Sequence, residues 1–551
     1  MHRQTPQHLL LPGRMVRSFA TSWLAGEERA RAFLDDGVVR PEARADAVRA
    51  AATRAVDPRL LAVLARQNAR LPVSPQRDRH LTMLAQPGTV VVVTGQQVGL
   101  FLGPLLTLYK AMSAIAAARQ LTAETGVPCV PLFWLQTEDH DFAEIDHCFV
   151  PEPGQPPRRV ALAPTPPSRV PVAHRVLGPS ATDAVADLGA RLAQWPHAAE
   201  VMALISAAYV PQNSPARAFA LALAQIFADE GLILLDPRDA EVASLAAPLH
   251  RRLLVEAGAI AESLQGRAES LRRAGFAPQV HIRPGSPLAF IAPDAEEGDR
   301  YRLDPAGSPD RWQLVGHPEA ATVAGGQLLA WLEVAPARFS TSALARPLLQ
   351  DSLLPTAAYV GGPGELSYFA QLAPLYRHLA LPMPLFVHRA RLTLCEARTR
   401  PFLASLGLTV GDVRLPPSEL AGRAAAAGTA GFAAPGELLG RLRAGLDLAP
   451  LEAELVRLDP NLGKAVQRTG LAVDEALQRL VDKYANALGQ RDRTQWQRLE
   501  RLQTWLWPGH EPQERVYGLP GPAARFGLAP LLAAVRAAVQ PFAADAREVD
   551  L

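Results

Sequence analysis

Four consecutive valines, Val90 to Val93, run directly into Thr94-Gly95-Gln96-Gln97-Val98-Gly99-Leu100-Phe101-Leu102-Gly103-Pro104. An unbroken β-branched run reads as a strand buried on both faces, as in a parallel sheet covered by helices. Pro104 stands near the start of the apolar stretch Leu105 to Ala123, where proline favours helix initiation. A second strand is predicted from Cys129 to Leu135. Strand, glycine-bearing loop, helix and strand predict the opening of a parallel α/β sheet. Further strands are expected at Leu232–Leu235, Val280–Ile282, Leu288–Ile291, Thr356–Val360 and Leu385–Val387, with insertions near 151–225 and 295–345.

The chain is long enough, at 551 residues, for two or more domains. Residues 1–85 read as short helices packed on a core at 86–395, including a patterned stretch from about 41 to 70. From 396 the texture turns helical. Apolar residues recur at Leu451, Leu455, Leu458, Leu462 and Val466, then at Val473, Leu477, Leu480, Tyr484 and Leu488. This heptad-like spacing predicts a coiled coil or a long helical hairpin within 396–508. Asp459-Pro460 reads as a cap with proline at the first helical position, and a third helix is expected from Thr494 to Trp507. Residues 509–551 are expected to form a helical tail.

A net charge of +2 argues against general capture of nucleic acid. No 18-residue apolar run and no signal-peptide core is visible, which predicts a soluble cytoplasmic protein with no membrane partner. Cys129, Cys148 and Cys395 are too few and too scattered for a disulfide framework. The basic residues are almost all arginine. Lys110, Lys464 and Lys483 are the only lysines. Arginine replaces lysine as a solvated charge but not as a compact ammonium touching one oxygen, which marks Lys110 for attention.

Three polar segments follow predicted strands, at the end of the sheet where ligands bind. In the first, Gly99 and Gly103 permit close backbone approach, and Thr107 and Lys110 share a helix face. Lys110 can reach an anion near the loop that holds Gln96 and Gln97; a tight turn with an exposed lysine is the plain alternative. The segment is neither a Walker A loop nor GxGxxG. The second, Thr137 to His147, crowds Glu138, Asp139, His140, Asp141, Glu144, Asp146 and His147 after a strand. Such crowding shifts pKa values and suits acid/base work, amine binding or metal binding; a solvated acidic loop is the alternative. Its spacing matches no standard zinc pattern, and no metal is expected. The third runs from Tyr359 through Gly361, Gly362 and Gly364 to Glu365 at a helix start, where a carboxylate favours the helix dipole. Tyr368 and Gln371 are placed to line a pocket there, and a well-capped loop is the plain reading.

In this order and spacing, the three segments resemble the bacillithiol biosynthesis cysteine-adding enzymes. The resemblance rests on TGQQ-x-G-x-x-x-GP-x-x-T-x-x-K at Thr94–Lys110, FW-x-x-TEDHDF-x-E-I-x-H at Phe133–His147, and RP-x-x-QD-x-LLPTAAY-x-GGPGE-x-x-Y-x-AQL at Arg346–Leu372. Weaker echoes are Pro278–Arg283, Asp459-Pro460 and Gln513–Val516. Phe339-Ser340-Thr341-Ser342 departs from FSPN in the family, and the alanine- and glycine-rich stretch 421–436 is unlike its relatives. The resemblance implies a Rossmann-like core related to class I aminoacyl-tRNA synthetases, two insertions and a C-terminal coiled coil that makes a homodimer. It also implies amide formation between the carboxyl of cysteine and the amine of glucosaminyl malate.

That bond is uphill from a free carboxylate, so an activated carboxyl is expected, with ATP or another nucleotide as the cofactor. Lys110, Asp139, His140 and Asp141 are the catalytic candidates. Gln96, Gln97, Gly99, Gly103, Thr107, Glu138, His147, Tyr359, Gly361, Gly362, Gly364 and Glu365 are the binding candidates. Lys464 and Lys483 are candidate ligand contacts. The rivals are a metal-dependent hydrolase or nucleotidyltransferase built on Glu138–His147, and a coiled-coil interaction protein with a degenerate α/β domain.

Overall fold

A computed structural model describes residues 18–34, 40–307, 310–319, 321–417, 419–420, 423–424, 433, 435–446, 449–491, 493–543 and 545–551. Most of the stretch 421–436 lies outside the described residues. The chain forms two compact units. The first comprises Met1–Cys148, Arg159–Leu392 and Gly518–Arg547; the second comprises Phe149–Arg158, Thr393–Tyr517 and Glu548–Leu551.

The strands of the two main sheets, both in the first unit, are β1 (Val90–Gln97), β2 (Cys129–Gln136), β3 (Ile233–Leu235), β4 (Ala289–Ile291), β5 (Tyr301–Pro305), β6 (Arg311–Val315), β7 (Thr322–Ala324), β8 (Phe339–Thr341), β9 (Thr356–Gly361) and β10 (Leu385–His388). One sheet has the order β10-β9-β1-β2-β3, with every pair parallel. Val90 to Val93 are fully buried at its centre. Burying each such side chain contributes about 1.5–3 kcal/mol. Helix α1 (Leu106–Thr125) leaves β1 toward one face, where Ala114, Ala117 and Leu121 meet Val90, Val92 and Val360. Helix α2 (Pro363–His378) leaves β9 toward the other, where Leu366 and Phe369 join Val91, Val93 and Tyr359. Because the chain departs to opposite faces from these adjacent strands, a crevice opens between the carboxyl ends of β1 and β9.

Two of the expected strands differ. Residues Val280–Ile282 form no strand; the side-chain amide of Gln371 accepts from Val280 N at 2.9 Å and donates to Val280 O at 3.0 Å. One amide thereby satisfies both backbone groups that a neighbouring strand would have paired. The Leu288–Ile291 segment supplies β4 to a separate antiparallel sheet of order β8-β4-β5-β6-β7, not to the parallel sheet. Residues of β6 alternate between exposed and buried, the pattern of a sheet covered on one face. The second insertion is therefore mostly this sheet. The first carries the helices Ser180–Leu192, Ala198–Ala208 and Pro215–Ile226.

The stretch 509–551 carries the expected helices, at Gln513–Val516, Pro520–Phe526 and Leu528–Ala538, but it does not form one tail. Gly518–Arg547 belongs to the first unit, and the chain ends with a strand at Ala546–Asp550. Gly518 is packed so tightly that an added Cβ would collide with Cys148 Sγ and lie 3.1 Å from Gly103 O. Gly518→Ala is expected to cost about 1–3 kcal/mol through overpacking. Adding Cys148→Ala should recover most of that loss in denaturant unfolding. An unchanged midpoint in the single variant would refute the contact.

Asp351, in the helix Ala345–Leu353, is fully buried, and its carboxylate accepts from Tyr376 Oη and Gln350 Nε2. Burial pushes its pKa up to about 6 from 3.8. For an acid with a raised folded pKa, the unfolded chain binds fewer protons than the folded one between the two values. Stability is then greatest below pH 4 for this group and declines as pH rises through 6, by about 3 kcal/mol in total. Asp351→Asn should remove that descent from a series of denaturant titrations between pH 4 and 7. A variant that keeps the wild-type slope would show that another group causes it.

In the second unit the helices include Pro435–Ala444, Ala449–Leu458, Leu462–Arg491 and Arg493–Leu506. The break after Leu458 falls where it is expected, but Pro460 is not the first helical residue. Asp459 Oδ1 accepts from Asn461 N at 2.9 Å, so Asp459 to Asn461 make the turn and the helix begins at Leu462. Val466 and Val481 are buried, whereas Leu458, Leu471 and Leu480 stay exposed, as do Lys464 and Lys483. Among the described residues no helix is long and apolar enough to cross a membrane.

Candidate active site

The crevice between β1 and β9 is bridged by an ion pair. Lys110, on the second turn of α1, is 3% exposed, and its Nζ lies 2.8 Å from Glu365 Oε2 on the first turn of α2. The same ammonium donates to Gly95 O and Gln96 Oε1, each at 2.8 Å. Its three donors are thus all engaged, so Lys110 is neither the exposed lysine of the plain reading nor a free contact for an anion. Glu365 also accepts from Gly362 N at 2.7 Å and Tyr359 Oη at 2.6 Å. Burial opposes the charge of Glu365, but Lys110 and these donors outweigh it and hold its pKa below the usual carboxylate value. Burial lowers the pKa of Lys110, with Glu365 acting against that shift.

The glycine-bearing loop does not present its amides to a ligand as expected. The N–H groups of Gly99, Leu100, Leu102, Gly103 and Thr107 donate to Gln97 O, Ile145 O, Tyr209 Oη, Leu100 O and Pro104 O. A nucleotide phosphate cradle needs such groups vacant, so these five amides do not form one. Phe101, Leu102 and Gly103 all have positive φ, at 52°, 73° and 63°. The two non-glycine residues cost about 1–3 kcal/mol each and persist because their surroundings hold them. Tyr209 does so, packing edge-on against Phe101 at 4.9 Å while accepting from Leu102 N. Thr107 is buried, and its Oγ1 has no hydrogen-bond partner.

The acidic segment after β2 is clamped from above by the antiparallel sheet. Arg300 donates from Nε to His140 Nδ1 at 3.1 Å, from Nη2 to Asp139 Oδ1 at 3.5 Å, and from Nη1 to Glu138 O and Ser340 Oγ. Its guanidinium also stacks over Phe290 at 4.1 Å. Glu138 accepts from Thr341 Oγ1 at 3.1 Å, and burial raises its pKa. At Asp139 burial works against ionisation, but Arg300 and the N–H groups of His140 and Asp141 win, and the pKa is lowered. Burial and Arg300 lower the pKa of His140, leaving a neutral ring. Asp141 is exposed. Gln97 Nε2 reaches Asp139 Oδ2 at 3.1 Å and so ties the first segment to the second. His147 pairs with Asp146 at 2.8 Å, which Arg159 also holds at 2.8 Å.

In the third segment, Gly361 cannot carry a side chain, because a Cβ would lie 2.8 Å from the Phe386 ring. Gly364 is exposed with open space around it. Tyr359 is fully buried; Arg346 donates to its hydroxyl at 3.1 Å and to that of Tyr368 at 2.8 Å. Gln371 is spent on Val280 and lines no pocket.

Sequence reasoning missed Arg238, Arg300 and His388, and read Arg346 only as part of a motif. His388 ends β10, the same strand-end position used to find the other segments, so that signal was available. Its Nδ1 donates to Arg389 O at 2.7 Å, its Nε2 is buried without a partner, and burial drives its pKa down to about 3. Arg300 lies far along the chain in an insertion and carries no local signal. Among the described residues no three His, Cys, Asp or Glu side chains are grouped to hold a metal ion.

Residues 8–390 match the family described as bacillithiol biosynthesis BshC, N-terminal Rossmann-like domain, and residues 447–527 match the C-terminal coiled-coil domain of BshC. Relatives named "Putative cysteine ligase BshC" include one from Solibacter usitatus, 35% identical over 85% of each chain. One from Koribacter versatilis is 32% identical over 84% of each chain. Another from Salinibacter ruber is 36% identical over 68% of this chain and 67% of its own. With a Rossmann-like domain that covers more than half of its length, this chain belongs to the BshC family of bacillithiol biosynthesis.

Proposed function

We propose that the chain is a cysteine ligase that joins an activated cysteine carboxyl to the amine of glucosaminyl malate. The observation that carries this reading is the convergence of the three segments at the carboxyl end of the sheet, through Lys110–Glu365 and Gln97–Asp139. An ammonium cannot attack a carbonyl, so the amine must first give up a proton. The ionised Asp139 holds the amine, and Glu138, with its raised pKa, or the neutral His140 takes the proton. Nitrogen then bonds to the acyl carbon as the carbon–oxygen bond to the activating group breaks, and that group leaves as its oxyanion with the electron pair of the bond. No step is assigned to a nucleotide, because the glycine loop offers no phosphate cradle. The exposed leucines of the second unit support assembly into a homodimer through the coiled-coil domain.

The test is incubation of the purified protein with glucosaminyl malate, cysteine and each of several nucleotides, with thiol products read by mass spectrometry. A product carrying both substrates is expected, and its absence under every condition refutes the ligase reading. Light scattering should return twice the chain mass, and a monomer at micromolar concentration would remove the dimer.

A further inference from the structure

A second polar cleft opens at the β3 side of the parallel sheet, beyond the carboxyl ends of β2 and β3. It holds about 270 Å³ and is lined by Arg66, Arg70, Arg217, Arg238, Asp236 and Asp239. Its floor is apolar, with Leu135 and Leu234. That volume lies below the roughly 300–1,000 Å³ of pockets for drug-sized ligands, so it suits a small molecule.

The charge in this cleft is not balanced internally. Asp239 pairs with Arg66 at 2.6 Å and caps the helix Ala240–Val255 through Glu241 N. Asp236 accepts from Thr137 Oγ1 and from Arg238 N. Both carboxylates are therefore committed. Arg238 donates to Phe339 O and Glu296 O, each at 3.3 Å, and lies 3.2 Å from His174 Nε2; its charge acts on Asp236 and Glu138, and its Nε is buried without a partner. Arg70 and Arg217 have no ion-pair partner among the described residues. The helix Pro215–Ile226 starts at the cleft, with Ser214 Oγ accepting from Arg217 N. That cap leaves the Ala216 N–H without an intrahelical acceptor, on the positive end of the helix. Two guanidinium groups without an ion-pair partner, those of Arg70 and Arg217, an open N–H and a helix N-terminus converge on one small concavity.

We propose that this cleft is an anion site for a small molecule with two negative oxygens, a dicarboxylate or a phosphate, separate from the crevice that holds Lys110. Bidentate pairing with guanidinium groups is the chemistry that selects such oxyanions over a single carboxylate. Arg238 links the site to the acidic segment, since its backbone N–H and that of Asp236 fix the turn whose Asp236 side chain binds Thr137.

The experiment is calorimetric titration of the full chain, at constant ionic strength, with succinate, inorganic phosphate and acetate. Arg70→Ala/Arg217→Ala is the variant, and its unliganded melting temperature reports its fold. Succinate or phosphate should bind the wild type, and the double variant should bind it about tenfold more weakly or worse. The stronger of the two names the oxyanion, and acetate should not bind measurably. Arg70→Lys/Arg217→Lys, which keeps the charge but not the fork, should fall between. Absence of binding to the wild type up to about 10 mM overturns the proposal, as does equal affinity in wild type and double variant. Neither result touches the ligase reading, which the product assay decides.

Discussion

Lys110→Met is expected to lower stability by about 3–5 kcal/mol and to abolish product formation. Removing one member of a buried ion pair leaves the other charge uncompensated in a low-dielectric site, and that penalty sets the magnitude. Here the stranded group is Glu365, which among the described residues keeps Tyr359 and Gly362 as donors. Gly95 O and Gln96 Oε1 lose their donor as well. The double variant Lys110→Met/Glu365→Gln removes both charges and should recover most of the stability without recovering activity. Denaturant titration of the wild type, both single variants and the double variant gives the coupling energy directly. Additive single effects would show that the pair is not coupled. Lys110→Arg separates charge from geometry: a planar fork cannot reproduce three contacts made by one nitrogen, so activity should fall while the fold holds.

Arg300→Met should reduce kcat/KM by about a hundredfold, with a smaller effect on unfolding. Displacing reacting groups by about an ångström costs on that order. Arg300 is the residue that sets the positions of Glu138, Asp139 and His140 together. Its loss also removes the positive charge that lowers the pKa of Asp139, so Asp139 should protonate at higher pH. The acidic limb of the rate profile should accordingly move to higher pH in the variant. A profile that keeps its position while the rate falls would assign Arg300 a packing role over Phe290 instead.

Much of the fold was legible locally. The valine run, Pro104 and the apolar spacing of α1 are statements about burial on two faces and about helix initiation, both short-range in sequence. The three polar segments were legible for the same reason, because each follows a strand and strand ends carry ligands in this sheet class. Elsewhere local pattern was ambiguous. Val280–Ile282 has strand composition, yet a distant amide takes its hydrogen bonds. Leu288–Ile291 has strand composition too, but nothing nearby says which sheet it joins. The glycines at Gly99 and Gly103 permit a phosphate loop; the structure instead closes the amides upon carbonyls of the same loop and upon Ile145 and Tyr209.

What the amino-acid sequence determined by itself was the class of sheet, the end of it that carries the chemistry, and which residues there are ionisable. Those depend on periodicity and on spacing within a few residues. Partnership was decided only by the tertiary structure. Lys110 and Glu365 are remote in the chain, and become neighbours because α1 and α2 leave adjacent strands on opposite faces and so start at the same crevice. Arg300 and Thr341 come to Glu138 and Asp139 from an inserted sheet. A charge's role depends on what lies within a few ångströms of it, and in a parallel sheet those neighbours are brought in by crossovers rather than by sequence proximity.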